Sequence, residues 1–276
     1  MTKVKCHICP HACVISEGQR GFCGGRINRQ GEIIADNYGK LTAIALDPIE
    51  KKPLSRFLPG SRILSVGSYG CNLRCGFCQN YNISLDWDTD QTRLIKPAQL
   101  VAKALELVPE GNVGLAYTYN EPLIGYEFVR DCATLAREIG LKNVVVTNGY
   151  INLEPFNELL PYIDAFNIDL KGFSAGFYRQ LCGELEVIKG TIVAASAVSH
   201  VEVTTLIIPG KNDSLEEMAK LAKWLSDIAP EIPLHISRFF PAYQMLDCQP
   251  TPIETIYKLA DIARNYLKYV YEGNVG

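Results

Sequence analysis

SVGSYGCNLRCGFCQN, residues 65–80, ends a short apolar run at Arg62–Gly67 and then spaces three cysteines, Cys71, Cys75 and Cys78, as Cys-x3-Cys-x2-Cys. An apolar run closed by glycine reads as a buried strand, so the cysteines fall in the loop after it. A tetrahedral structural zinc site takes four ligands, which three thiolates cannot supply alone. A 4Fe-4S cluster held by three cysteines leaves one iron open to a further ligand. Gly67, Gly70 and Gly76 suit a loop that wraps a cluster with backbone N–H groups near its sulfurs. A zinc knuckle that borrows a fourth ligand from elsewhere is the competing reading.

Beyond this loop the chain alternates strand-like and helical stretches. Strands are expected at Arg62–Gly67, Asn112–Tyr117, Asn143–Thr147, Ala165–Leu170, Val201–Ile208 and Pro233–Phe239. Helices are expected at Pro97–Val108, Pro122–Ile139, Glu154–Leu160, two around Phe173–Ser199, then Ser214–Ile228 and Ile253–Leu267, before a short apolar end at Tyr269–Val275. Short apolar strands separated by amphipathic helices imply parallel βαβ units of an α/β fold. Six such units fit residues 61–276, fewer than a full eight-fold barrel needs. In an open sheet or a barrel the ligand belongs at the carboxyl ends of the strands.

Residues 1–60 are irregular and rich in cysteine, glycine and proline. A hairpin is expected from Glu32–Ala35 and Leu41–Leu46 with its turn at Asp36, Asn37 and Gly39. The run DPIEKKPLSRFLPGS, residues 47–61, reads as a linker packed against the α/β region after it. The chain therefore divides into a Cys-rich metal-binding segment with linker, 1–60, and an α/β unit, 61–276.

Of 276 residues 47% are apolar, so a sizeable core is available, and the net charge of -3 argues against nucleic-acid or membrane binding as the main activity. The amino terminus has no apolar signal-peptide core, and no stretch of about 18 apolar residues appears, so a cytoplasmic chain is expected. Ten cysteines in such a chain point to metals or catalysis rather than disulfides. Cys132, Cys182 and Cys248 stand alone and are expected to pack as small apolar residues.

CNLRCGFC resembles the cysteine signature of the radical S-adenosylmethionine (SAM) superfamily, with Phe77 at its aromatic position. The likeness runs over nearly the whole chain and is nearest to the pyruvate formate-lyase-activating-enzyme branch. Within it CHICPHAC, GQRGFCGGR, DPIEKKPLSRFLPGS, CQNYNIS, AYTYNEP and YEGNV resemble the AmmeMemoRadiSam type. The resemblance implies a partial, six-stranded (β/α)6 barrel with a small Cys-rich extension. It implies that SAM chelates the open iron, that one electron cleaves its sulfonium, and that the resulting 5′-deoxyadenosyl radical abstracts hydrogen. It implies an external electron donor of flavodoxin or ferredoxin type, with a protein substrate or AmmeMemo-like partners.

SAM needs an anion for its ammonium, a cation or donors for its carboxylate, and polar groups for its ribose. Glu121 in AYTYNEP resembles the glutamate of the family's Gly-Gly-Glu motif, with Tyr119 and Asn120 in place of the glycines; capping before Pro122 suits Asn120 better than Glu121. By resemblance Thr147 and Asn148 sit beside SAM. Val146 stands where some activating enzymes carry aspartate, which speaks against a cation site like theirs. Asp169 and Lys171 alternate with apolar residues and share a face; they could bind ribose and carboxylate, or form a structural ion pair. Thr204 and Thr205 are candidates for the nucleoside. His235 and Arg238 could reach the mouth, although a strand histidine is more often satisfied internally, and Phe240 stands where relatives often carry histidine.

Cys6, Cys9, Cys13 and Cys23 supply four thiolates, enough for zinc or a second iron–sulfur cluster, and His7 or His11 could replace one. Three functions are weighed: hydrogen abstraction from a substrate not identified by sequence, activation of a glycyl-radical enzyme, and non-catalytic electron carriage. A carrier has no need for Glu121, Asp169 and Lys171 at strand ends, which places it last.

Overall fold

The computed structural model describes residues 2–85 and 92–276. Short strands open the chain: β1 (Lys3–Lys5), β2 (Val14–Ser16), β3 (Arg26–Arg29), β4 (Glu32–Ala35) and β5 (Lys40–Leu41). The main sheet is built from β6 (Ala43–Pro48), β7 (Arg62–Gly67), β9 (Asn112–Tyr117), β10 (Lys142–Thr147), β11 (Ala165–Asp169), β12 (His200–Ile207), β13 (Leu234–Arg238) and β14 (Val270–Gly273), while β8 (Arg93–Leu94) pairs with β5. Helices α1 (Tyr81–Ser84), α2 (Pro97–Glu106), α3 (Tyr126–Glu138), α4 (Leu153–Leu159), α5 (Ala175–Gln180), α6 (Leu185–Ser196), α7 (Leu215–Ile228) and α8 (Ile253–Arg264) fall between the later strands.

The order in the main sheet is β14-β13-β12-β11-β10-β9-β7-β6, parallel from β7 to β14, with β6 antiparallel at the edge. All six expected strands are present, and the α/β partial-barrel reading is borne out. Two edge strands extend it: the apolar end forms β14, and β6 joins from before residue 61. Edge strands β6 and β14 are not hydrogen-bonded to each other, so the barrel stays open.

The expected hairpin is wrong in its pairing. β4 pairs with β3 through Arg29↔Glu32, and β6 pairs with β7. The two residues between Arg29 and Glu32, Gln30 and Gly31, have φ of 56° and 79°, the left-handed pair that a tight two-residue hairpin turn requires. Register on the main sheet is set by burial, because β6 extends the wall of a core that β4 does not reach.

Helix α3 shows how the layers close. Phe128, Val129, Cys132, Ala133 and Ala136 are buried along one stripe, while Arg130 and Arg137 face outward. Fully burying each large apolar side chain of this kind stabilises the fold by about 1.5–3 kcal/mol. On the inner side, alternate strand residues form the barrel wall: Ala116, Val144 and Val146, Asn167 and Asp169, Glu202 and Thr204, His235 and Ser237.

Residues 47–61 do pack against the α/β unit, and they enter the barrel. Ile49 and Leu54 are wholly buried with Ile63, Ala116, Val144 and Ala165. Asn167 Nδ2 donates to Pro53 O at 2.8 Å, and the Glu202 carboxylate accepts the N–H groups of Ser55 and Arg56 at 2.9 and 2.7 Å. This segment forms the floor of the barrel. Cys132 is buried and Cys248 half-buried, but Cys182 is exposed at φ 58°, so it does not pack as an apolar residue.

Candidate active site

The β7–α1 loop brings Cys71, Cys75 and Cys78 to the carboxyl end of the sheet, where a cavity of about 730 Å³ opens. Its walls hold most of the residues expected around the cofactor: the three cysteines and Phe77 from the loop, Glu121 after β9, Thr147 and Asn148 at the end of β10, Asp169 and Lys171 at and just after the end of β11, and Thr204 on β12. Val146, His235 and Ser237 also line it.

The three thiols are free. The N–H of Leu73 points at Cys71 Sγ from 3.4 Å, and Asn148 Nδ2 from 3.6 Å. Burial pushes the Cys71 thiol up, and pushes Cys75 up to about 11 against the pull of the Lys171 ammonium. Iron ligation therefore releases protons here. Free thiols, donors aimed at sulfur and a roomy cavity are the chemistry a three-cysteine 4Fe-4S cluster requires, and the residues fit it. Among the described residues, no three His, Cys, Asp or Glu side chains stand ready to ligate a single ion.

Glu121 sits at the base of this wall, 3% exposed. Its carboxylate accepts the Thr147 hydroxyl at 2.7 Å, the Asn148 N–H at 2.7 Å and the Leu123 N–H at 3.0 Å. Burial raises its pKa to about 7, and these donors oppose the rise. The capping expectation is corrected here: Glu121 is itself the cap of the turn at Pro122–Gly125. Asn120 instead ties down the cysteine loop, accepting the Ser68 N–H at 2.9 Å and donating to Tyr69 O and Gly70 O at 3.2 Å.

Lys171 Nζ meets Asp169 Oδ2 at 2.9 Å, and the Asp169 and Cys75 charges raise its pKa despite burial. The pair is a structural ion pair, and both residues also line the cavity. Thr204 donates to Asn167 Oδ1 at 3.0 Å, whereas Thr205 turns to Leu170 O, outside the cavity lining. Phe77 stacks on Phe177 with ring centroids 6.4 Å apart. Arg238 is drawn to Thr251 O and lies over the Phe240 ring, and neither residue lines the cavity.

Sequence reasoning missed two residues. Asn72 donates to Tyr150 O at 2.6 Å and accepts from Asn148 at 3.0 Å, which joins the cysteine loop to β10. Glu202 binds His235, His200 and the floor. A buried polar residue between the cysteines and a glutamate on an inward strand position were the signals available.

Comparison with known proteins agrees with this geometry. The sequence profile of the radical SAM superfamily matches residues 65–225. An uncharacterized protein from Methanocaldococcus jannaschii is 45% identical over 99% of this chain and 82% of its own length. A pyruvate formate-lyase-activating enzyme from Clostridium pasteurianum is 27% identical over 62% of this chain and 71% of its own. The structure of Streptococcus suis SuiB bound to S-adenosylmethionine shares the fold, with a TM-score of 0.60 at 12% identity over 78% of this chain and 52% of that one. With a loop of three free cysteines at the mouth of a partial β/α barrel, and a profile match that spans more than half its length, the chain belongs to the radical SAM superfamily.

Proposed function

We propose that Cys71, Cys75 and Cys78 hold a 4Fe-4S cluster, and that Phe77, Glu121, Thr147, Asn148, Asp169, Lys171 and Thr204 receive S-adenosylmethionine beside it. The observation that carries this reading is the convergence of all ten side chains on one cavity. A cluster held by these cysteines would supply the single electron that reductive cleavage of the SAM sulfonium needs for hydrogen abstraction from a substrate. Glu121 offers a carboxylate to the methionine ammonium, and Lys171 a cation to its carboxylate. Asp169 and Thr204 face the ribose side with hydroxyl-binding oxygens. Phe77, packed on Phe177, keeps water from that wall of the cavity.

The electron comes from an external donor of flavodoxin or ferredoxin class. The substrate class stays open to partners resembling the AmmeMemo proteins. Activation of a glycyl-radical enzyme is the second reading, favoured by the likeness to the clostridial activating enzyme over 62% of the chain. Cys6, Cys9, Cys13 and Cys23 form a second metal site. Among the described residues no helix is long and apolar enough to cross a membrane.

Anaerobically reconstituted protein given SAM and dithionite releases 5′-deoxyadenosine, and Cys75→Ala removes both cluster and product. Full turnover by Cys75→Ala rejects the assignment. Electron spin resonance with a candidate partner separates the readings: a lasting glycine-centred signal supports activation.

A further inference from the structure

The amino-terminal cysteines carry more than a generic affinity for metals. We propose that Cys6, Cys9, Cys13 and Cys23 close on one zinc-class ion, which braces the loop that presents Cys71. This identifies the second metal and its task, and it rests on the reading of Cys71–Cys78 as the cluster loop.

All four thiols are free and line one small cavity together with Arg26. The Phe22 N–H points at Cys13 Sγ from 3.5 Å, and backbone N–H groups of Ile8, His11, and Gly25 with Arg26 act on Cys6, Cys9 and Cys23 against the burial that raises those thiols. A neutral thiol is a weak acceptor with little use for such donors, whereas a metal-bound thiolate is stabilised by them. Cys132 is as deeply buried, yet only burial and the nearby Asp131 charge act on it. Burial raises the Cys6, Cys9 and Cys23 thiols as it does Cys132, but only the former carry donors that would hold a thiolate once an ion displaced the proton.

Size selects the occupant. The cavity among the four thiols holds about 10 Å³, roughly one water-sized sphere. One ion fits that space, and an eight-atom iron–sulfur cube does not. The four sulfurs do not stand at ligating positions, so loading draws them inward as four S–H protons leave for solvent and four S–metal bonds form. The divalent ion and four thiolates carry a net charge of minus two, which Arg26 and the five N–H groups face.

The quartet abuts the cluster loop directly. Cys71 N–H donates to Cys23 O at 3.1 Å, His11 Nε2 meets Asn72 O at 2.8 Å, and the Arg74 guanidinium bonds Phe22 O while lying 3.8 Å over the Phe22 ring. Fixing Cys23 and the Cys9–Cys13 turn on an ion therefore fixes the backbone of Cys71 and Asn72.

Zinc and iron are counted by mass spectrometry on full-length protein after anaerobic iron–sulfide reconstitution. Wild type holds about one zinc and about four irons per chain. Cys13→Ser loses zinc at least tenfold, Cys13→His retains it, and Cys75→Ala loses iron but keeps zinc, which separates failure of this site from failure of the cluster. The reduced cluster of Cys13→Ser shows altered resonance g-values. Should that variant fail to fold, a mercurial titrated into wild type against a zinc dye releases the ion at about four thiols per zinc. Wild type without zinc overturns the proposal, as does a wild type of about eight irons that falls to four in Cys13→Ser. Unchanged g-values in a zinc-free variant overturn the brace.

Discussion

His235 places its Nε2 2.6 Å from Glu202 Oε2, and Glu202 Oε1 lies 2.9 Å from His200 Nε2, so one fully buried carboxylate ties two strands to the barrel floor. Burial would raise the Glu202 pKa, but hydrogen bonds from His200, His235, Ser55 N–H and Arg56 N–H outweigh it and hold it at about 2. A carboxylate depressed from its ordinary 4.5 contributes stability above that pH, and the contribution is lost as pH falls towards 2. Glu202→Gln is expected to destabilise the protein by on the order of 3 kcal/mol at pH 7, with the gap to wild type closing below about pH 4.5. Denaturant melts across pH check this. A gap that does not change with pH removes the ionised clasp.

Glu121 and Lys171 offer opposite charges to the two ends of an amino acid. Glu121→Gln and Lys171→Ala are each expected to weaken SAM binding by about 10–100-fold, the value of a charge-assisted hydrogen bond in a buried site. Equilibrium dialysis on reconstituted protein, with iron content confirmed, measures it. Affinity equal to wild type in both variants would remove these residues from the SAM site.

Gly70 has φ 92°, and a Cβ there would lie 2.7 Å from both Cys23 O and Ile124 Cδ1. Gly70→Ala is therefore expected to push the cysteine loop off the amino-terminal segment and lower the iron retained after reconstitution at least twofold, read by iron and sulfide assay. Gly190→Ala, at an ordinary helical φ with open space around its Cβ, keeps full iron and serves as the control.

Arg26 is 2% exposed and binds both Glu127 oxygens at 2.5 and 2.7 Å, with Nε on Ile124 O at 2.5 Å. Arg26→Ala leaves the Ile124 carbonyl without this donor and should cost about 1.5–3 kcal/mol. Its amino-terminal segment should be cut first in limited proteolysis. A protease ladder identical to wild type counts against the tie.

The barrel and its chemistry were legible for particular reasons. The strands that carry Thr147, Asp169 and Thr204 are short, apolar and local in their signals, and Cys71-x3-Cys75-x2-Cys78 states its own geometry. The pairing of β6 with β7 was not legible, because its partner lies across a proline-rich floor and strand propensity is blind to that distance. The β3–β4 turn could have been found, since Gln30-Gly31 sits between two strand-like runs. The division of labour between Asn120 and Glu121 was reversed because capping preference ranks residue types and says nothing about Ser68, which occupies Asn120 from the other side. Glu202 reads as an ordinary polar strand residue until Ser55 and Arg56 arrive from 146–147 positions away.

The unjoined rims at β6 and β14 have a consequence for what the enzyme can act upon. A closed barrel admits only what passes through its bore, whereas a wall with a seam can be approached from the flank. Residues Tyr271–Asn274 beside that seam face the same cavity as the three cysteines. A hydrogen donor carried on the surface of a much larger body can thus be presented sideways, without that body having to fit inside.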